Sequence, residues 1–330
     1  MSWLFIAIVA YFINAFTAVI DKSLLVRPIP DPLVYTFYIG FLSVFALILP
    51  YLSCLGSLFS YGSFVCVGLS WPGLSNLAID LGAGLIFLAS LFLLYSALKK
   101  GEASRVAPVI GGLTPVFILL LSYLFLGERL AFWQITAFVF LVAGGGVISL
   151  EWNVGEGAIQ KRRLFRSWRL SVGAALVLAI FYVCAKVIYT HQEFIAGFVW
   201  SRMGSFLGSL LLLVFIKKRK AIWSATRNLG APAGQPAKLR LALLAGSLLV
   251  FNKILAGVAF VLLNYAIYLG SASLVNAAQG AQYVFLLGLI VFFAKTRPRI
   301  LEEEINWPLF GQKFLAVILI SAGLLILAQV

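Results

Sequence analysis

Residues 97–111, ALKKGEASRVAPVIG, and residues 266–280, AIYLGSASLVNAAQG, carry one pattern, A-x3-G-x-A-S-x-V-x4-G. Ala97, Gly101, Ala103, Ser104, Val106 and Gly111 in the first copy align with Ala266, Gly270, Ala272, Ser273, Val275 and Gly280 in the second. Small residues are frequent in membrane helices, so the spacing is only half of the argument. The other half is place. Each copy straddles a tight turn between two apolar segments, where glycine and other small residues let helices approach closely. Upstream, Gly40 matches Gly204 and Lys22 matches Lys186 at an offset smaller by five residues, as one loop insertion produces. The chain therefore reads as a repeat.

Working outward from those turns, ten segments are apolar over the roughly 20 residues that a helix needs to cross a bilayer. They lie near 3–20, 33–52, 76–98, 106–126, 131–150, 170–190, 194–216, 242–269, 274–294 and 309–329. The zone 53–75 has no charge and contains Tyr61, Trp71 and Pro72, which fits a long interfacial loop or a short re-entrant piece. Seven of the eight tryptophans, all but Trp200, fall near predicted helix ends, where amphipathic rings sit between hydrocarbon and headgroups. The apolar run Trp3–Ile20 lacks a basic region before it and a clean cleavage site after it. It is expected to be the first spanning helix and not a signal peptide.

Composition supports lipid as the main solvent. Of 330 residues, 62% are hydrophobic and 11% charged, and the mean hydropathy is +1.05. A soluble domain of this size needs far more charge on its surface. The net charge of +14 sits in short loops beside apolar segments, which reads as topology and lipid contact and argues against nucleic acid as a partner. Cys54, Cys66 and Cys184 show no C-x-x-C spacing, and the chain has one histidine, so a zinc site is not expected. Cys54 and Cys66 can either meet in one loop or stay free thiols. No carboxylate cluster, H-E-x-x-H, G-x-S-x-G or P-loop occurs, so neither a cofactor nor an enzyme activity is expected.

Lys and Arg in the odd connections number two, three, five, seven and three, 20 in all, whereas the even connections together hold only Arg129. The positive-inside rule puts the odd connections in the cytoplasm and both termini outside. The basic side alternates within each half and swaps between halves. An odd number of spans per repeat forces that swap if both halves share one fold. The expected organisation is an all-α polytopic membrane protein of ten transmembrane helices in two inverted repeats. The first five-helix repeat takes residues 1–150, a basic cytoplasmic linker 151–169, and the second repeat 170–330.

Tyr95 to Leu130, YSALKKGEASRVAPVIGGLTPVFILLLSYLFLGERL, resembles the signature region of EamA-type transporters of the drug/metabolite transporter superfamily. The residues carrying the likeness are Ala103, Ser104, Pro108, Pro115 and Phe125 to Arg129. Asn264 to Phe293 is the degenerate counterpart, without the prolines and with Lys295, Thr296 and Arg297 where the first copy ends in G-E-R. The resemblance implies a secondary transporter of a small-molecule metabolite in a bacterial inner membrane, with export as the direction and membrane lipids as its surroundings. It says little about the substrate.

Polar groups in hydrocarbon are functional candidates because they are costly. Arg202 is expected roughly 12 Å into the seventh helix and Lys253 roughly 17 Å into the eighth, at about 1.5 Å per residue. Lys186 falls near the outer end of the sixth. Lys253 and Asn264 share a helical face with Gly257 and Phe260. Asn276, Gln279 and Tyr283 form a stripe in the ninth helix, flanked by Gln282; amides and a phenol bind polar ligands without the cost of charge. The fourth helix offers Gly111, Gly112, Thr114 and Pro115, and the proline frees a carbonyl that a cavity must satisfy. The fourth and ninth helices are expected to wall one cavity. Structural alternatives stand beside these roles. Lys186 can snorkel outward, Arg202 can brace helices, the amides can join them, and Glu128 and Arg129 can anchor the fourth helix at the interface. Asp21, Asp80 and His191 lie near helix ends, so no acid is expected at the depth of Arg202 and Lys253. That imbalance favours an anionic or zwitterionic substrate. The competing functions are a flippase for a lipid-linked headgroup and a non-transporting scaffold or receptor.

Overall fold

The structure is a computed structural model describing residues 2–24, 32–51, 69–100, 103–149, 158–214, 236–296 and 307–329. Among the described residues every regular element is helical. In chain order the helices are α1 (Ser2–Leu24), α2 (Pro32–Leu42), α3 (Leu74–Lys100), α4 (Ala103–Leu121), α5 (Phe132–Ser149), α6 (Ala158–His191), α7 (Phe194–Val214), α8 (Pro236–Leu269), α9 (Ala272–Ala277), α10 (Gly280–Thr296) and α11 (Trp307–Gln329). Among the described residues seven helical runs are long and apolar enough to cross a membrane, counting α2 through Tyr51 and α4 through Leu126, and Phe132–Val147 and Phe314–Gln329 are shorter apolar helices. Leu74, Phe125 and Phe132 are among many large apolar side chains left exposed, as a lipid-facing surface requires.

Each of the ten apolar segments contains helix, with three local differences from the sequence expectation. A 3-10 turn, Ser43–Ile48, follows α2 inside the second segment. The sixth helix begins at Ala158, so residues 158–169 of the expected linker are helical. The ninth segment is broken between α9 and α10. Cys54, Cys66 and most of the 53–75 zone lie outside the described residues, as do the side chains of Asp21 and Lys22.

The fourth helix shows how local chemistry sets an end. A π turn, Ser122–Leu126, leads to Gly127 at φ +63°, the left-handed conformation that favours glycine. The Glu128 amide then donates to the Ser122 carbonyl (3.2 Å).

The helices form two compact units that do not follow the sequence halves. One comprises Met1–Pro28, Ala103–Gly155 and Gly230–Val330, and the other Ile29–Glu102 and Glu156–Leu229. In the first unit, α5 packs on α11, where a Cβ at Gly323 would press on Leu141 and the Ala137 carbonyl. Helix α1 packs on α8, with Asn252 Nδ2 donating to the Thr17 carbonyl (3.3 Å). It also reaches α9, where Tyr11 Oη donates to the Val275 carbonyl (2.9 Å).

In the second unit, α3 crosses α7 with backbone against backbone. A Cβ at Gly84 would collide with the Ser201 carbonyl, and one at Gly204 with the Leu81 carbonyl. Ser205 Oγ donates to the Gly84 carbonyl (3.0 Å) across the crossing. Lipid offers no hydrophobic drive between helices, so such close approach supplies the van der Waals contact that holds them. Gly40 of α2 presses on Ser209 and Leu88 beside the same crossing.

Candidate functional site

In the first unit, α4 meets the broken ninth segment. Ser271 caps α9, its Oγ accepting from the Leu274 amide (3.2 Å). The helix runs fully buried from Ala272 to Ala277, turns through Ala278 and Gln279, and restarts at Gly280. The Gln279 amide donates to the Asn276 carbonyl (3.1 Å) and the Gln282 amide to the Gln279 carbonyl (3.0 Å). Gln279 stands at the break itself. A Cβ at Gly111 of α4 would lie 2.6 Å from Tyr283 Oη and 3.7 Å from Gln279 Nε2. Gly111 therefore makes the room that the Tyr283 phenol occupies.

The sequence stripe divides at this point. Asn276 is buried and its Nδ2 returns to its own helix at the Ala272 carbonyl (2.9 Å), while Gln279, Gln282 and Tyr283 stay half-buried. Thr114, one turn along α4 from Gly111, is buried with Oγ1 donating to the Ile110 carbonyl (2.7 Å). At the end of α4, Glu128 does more than anchor at the interface: its Oε2 accepts from Ser273 Oγ of α9 (3.3 Å).

On α8, Asn264 is buried and donates to the Phe260 carbonyl (2.9 Å). Lys253 is half-buried and Gly257 exposed, so their shared face is more open than the adjacent face carrying Asn252 and Ala259, both 0% exposed. Asn252 was missed by sequence reasoning. Its spacing from Ala259, Leu263 and Ala266 is helical, but in an apolar helix that spacing does not mark which face packs.

In the second unit, Arg202 of α7 is 5% exposed. Its guanidinium lies 4.2 Å from the Phe87 ring centroid, 5.2 Å from Phe181 and 5.7 Å from Phe198. Three aromatic faces from α3, α6 and α7 thus solvate the cation. Lys186 of α6 is half-buried in the same unit.

Asp80, expected near a helix end, is buried within the protein. This residue is 0% exposed. Gln192, just after α6, donates through Nε2 to Oδ1 (2.9 Å) and Oδ2 (3.1 Å) of its carboxylate. Asp80 lies near the start of α3, yet with Ala83, Gly84, Phe87, Leu88 and Leu91 it forms the buried face of that helix. Being near a helix end in sequence did not mean reaching water. No group of three or more His, Cys, Asp or Glu residues poised for a metal occurs among the described residues.

Residues 1–150 match the EamA-like transporter family. That match over the first half of the chain is consistent with an EamA-type membrane transporter of the drug/metabolite transporter superfamily. The matched stretch holds α1 to α5, including Gly111, Thr114 and the Gly127 helix end of the EamA-type half. The likeness to one solved crystal structure covers 99% of this chain and 98% of that protein's chain. The two share 20% identity and a TM-score of 0.62, which shows a common fold along the chain. No curated protein sequence matches.

Proposed function

We propose that the chain is a secondary transporter that moves a small polar metabolite by alternating access, with the contact between α4 and the α9–α10 break as part of its substrate path. The observation carrying this reading is the break itself. Secondary transporters bind substrate where discontinuous helices expose backbone groups and polar side chains near the middle of the membrane. Here the break presents Gln279 and Tyr283 against Gly111. Gln282, Asn276, Thr114 and Asn264 supply the surrounding amides and hydroxyl. Lys253, on the open face of α8, is the cation proposed to take the carboxylate or phosphate of an anionic or zwitterionic substrate. Arg202 is assigned to bracing the second unit, because three phenylalanine rings already surround it.

The proposed architecture is two inverted five-helix repeats with both termini outside the cytoplasm, exporting from a bacterial inner membrane. Beyond the charge alternation, packing inside each unit supports the repeat. Exchanging every span with the one five later maps the first–eighth pair onto the sixth–third pair. Both pairs occur, as α1 with α8 and α3 with α6. The pairs that map onto themselves also occur: second with seventh, fifth with tenth, and fourth with ninth.

The test is a ligand-stabilisation screen across metabolite classes, followed by transport of each hit in proteoliposomes. A ligand bound only by the fold raises its melting temperature. The reading expects hits among small polar metabolites that are lost in Gly111→Val. Hits unaffected by that change would remove the site from the α4–α9 contact.

A further inference from the structure

We propose that Asp80 and Gln192 form a proton-binding pair, reached through a small recess at the end of the second unit. It rests on the transporter reading only in that a proton bound there serves as the coupling ion.

The recess is lined by Asn76 and Ile79 of α3, Val187, Ile188 and His191 of α6, and Gln192. Gln192 therefore stands between the recess and the buried carboxylate. Its Nε2 reaches both oxygens of Asp80, while its Oε1 is buried and has no hydrogen-bond partner among the described residues. A buried acceptor left without a partner is costly, because it has given up its hydrogen bonds to water.

A primary amide can bond a carboxyl group in two orientations. Facing a carboxylate, it donates N–H. Turned by half a rotation, it offers its oxygen to the O–H of a carboxylic acid. Gln192 can thus bond Asp80 whether or not Asp80 carries a proton, and the now idle oxygen gains its partner when the proton arrives. The step is complete in itself: one proton from water adds to one carboxylate oxygen, and the same O–H bond breaks on release.

The charged and titratable surroundings are compatible with this. On α6 they are Tyr182, Lys186, Tyr189 and His191, with Glu193 in the following turn. Tyr189 lies within electrostatic reach of both Asp80 and Arg202. On α7 the group is Arg202, held over its three rings. On α2, Tyr35 packs on Tyr95, at the opposite end of α3 from Asp80, and Tyr38 packs on Phe37. Among the described residues the hydrogen bonds to the Asp80 carboxylate come from the neutral Gln192 amide. An amide does not offset a full charge in a dry setting, whereas a proton does.

The test is infrared titration of the purified protein in lipid, wild type minus Asp80→Asn, with no substrate added. The expected difference spectrum contains one carboxylic-acid C=O band that grows as pH falls. In Gln192→Leu that band should move in frequency and its midpoint should shift, because both hydrogen-bonding orientations are lost. His191→Gln, at the rim, should retain the band. A difference spectrum with no titrating band overturns the proposal. If Asp80→Asn fails to fold, a wild-type band set unchanged by Gln192→Leu overturns it equally. Since no substrate is present, failure here leaves the transporter reading standing, and failed transport leaves this pair standing.

Discussion

Two glycine contacts, one in each unit, look alike in sequence and differ in kind. At the α3–α7 crossing, Gly84 and Gly204 bring backbone onto backbone, and any Cβ would strike a carbonyl that cannot move. At the α4–α10 contact, Gly111 faces the tip of a half-buried tyrosine beside a helix break. The first glycine pair locks two helices together. The second makes room for the tip of a side chain. In the proposed transport cycle the crossing is the fixed scaffold and the Gly111 contact is where motion is assigned.

The sharpest way to break the comparison is to fill both glycines. Gly84→Val should lower stability by at least ~3 kcal/mol, the upper end of overpacking costs. A fall in melting temperature and a shift to aggregate in size-exclusion chromatography would register it. Arg202→Met should also act through stability, at about 1–2 kcal/mol from lost cation–π contact. Thermal unfolding against ligand affinity separates the roles: a stable variant with collapsed affinity would return Arg202 to the substrate path.

Much of this fold was legible in the sequence because hydropathy and loop charge are local signals. Each of the ten apolar segments holds helix, among them the seven runs long and apolar enough to cross a membrane. The early start of α6 was not legible, because Lys161, Arg162, Arg163 and Arg166 look like a loop to any apolarity argument even though they are good helix formers. The break at Gln279 was hidden because Ala277, Ala278 and Gly280 carry no proline to announce it. Asp80 was hidden for another reason. In an all-apolar helix the face that packs on protein and the face that meets lipid read the same, so only tertiary contacts show which one holds the acid. The Arg202 cage draws its rings from three separate helices, which no spacing argument connects.

Smaller effects sharpen the picture. Lys253→Met should weaken transport about tenfold, equivalent to about 1.4 kcal/mol, with folding intact, while Lys186→Met should change it less. Equal, undiminished transport in both would remove the anionic-substrate proposal. Asn252→Ala should cost ~1 kcal/mol through loss of its hydrogen bond to the Thr17 carbonyl, read as a modest fall in thermal stability with transport unchanged.

The most direct test of the central claim is proteoliposome transport by wild type and Gly111→Val, using the first metabolite that stabilises the wild-type protein, with melting temperatures recorded for both. The account predicts that Gly111→Val folds with a melting temperature close to wild type, because only the Tyr283 tip must move, yet loses transport by at least about tenfold. Full transport by a folded Gly111→Val variant would contradict it.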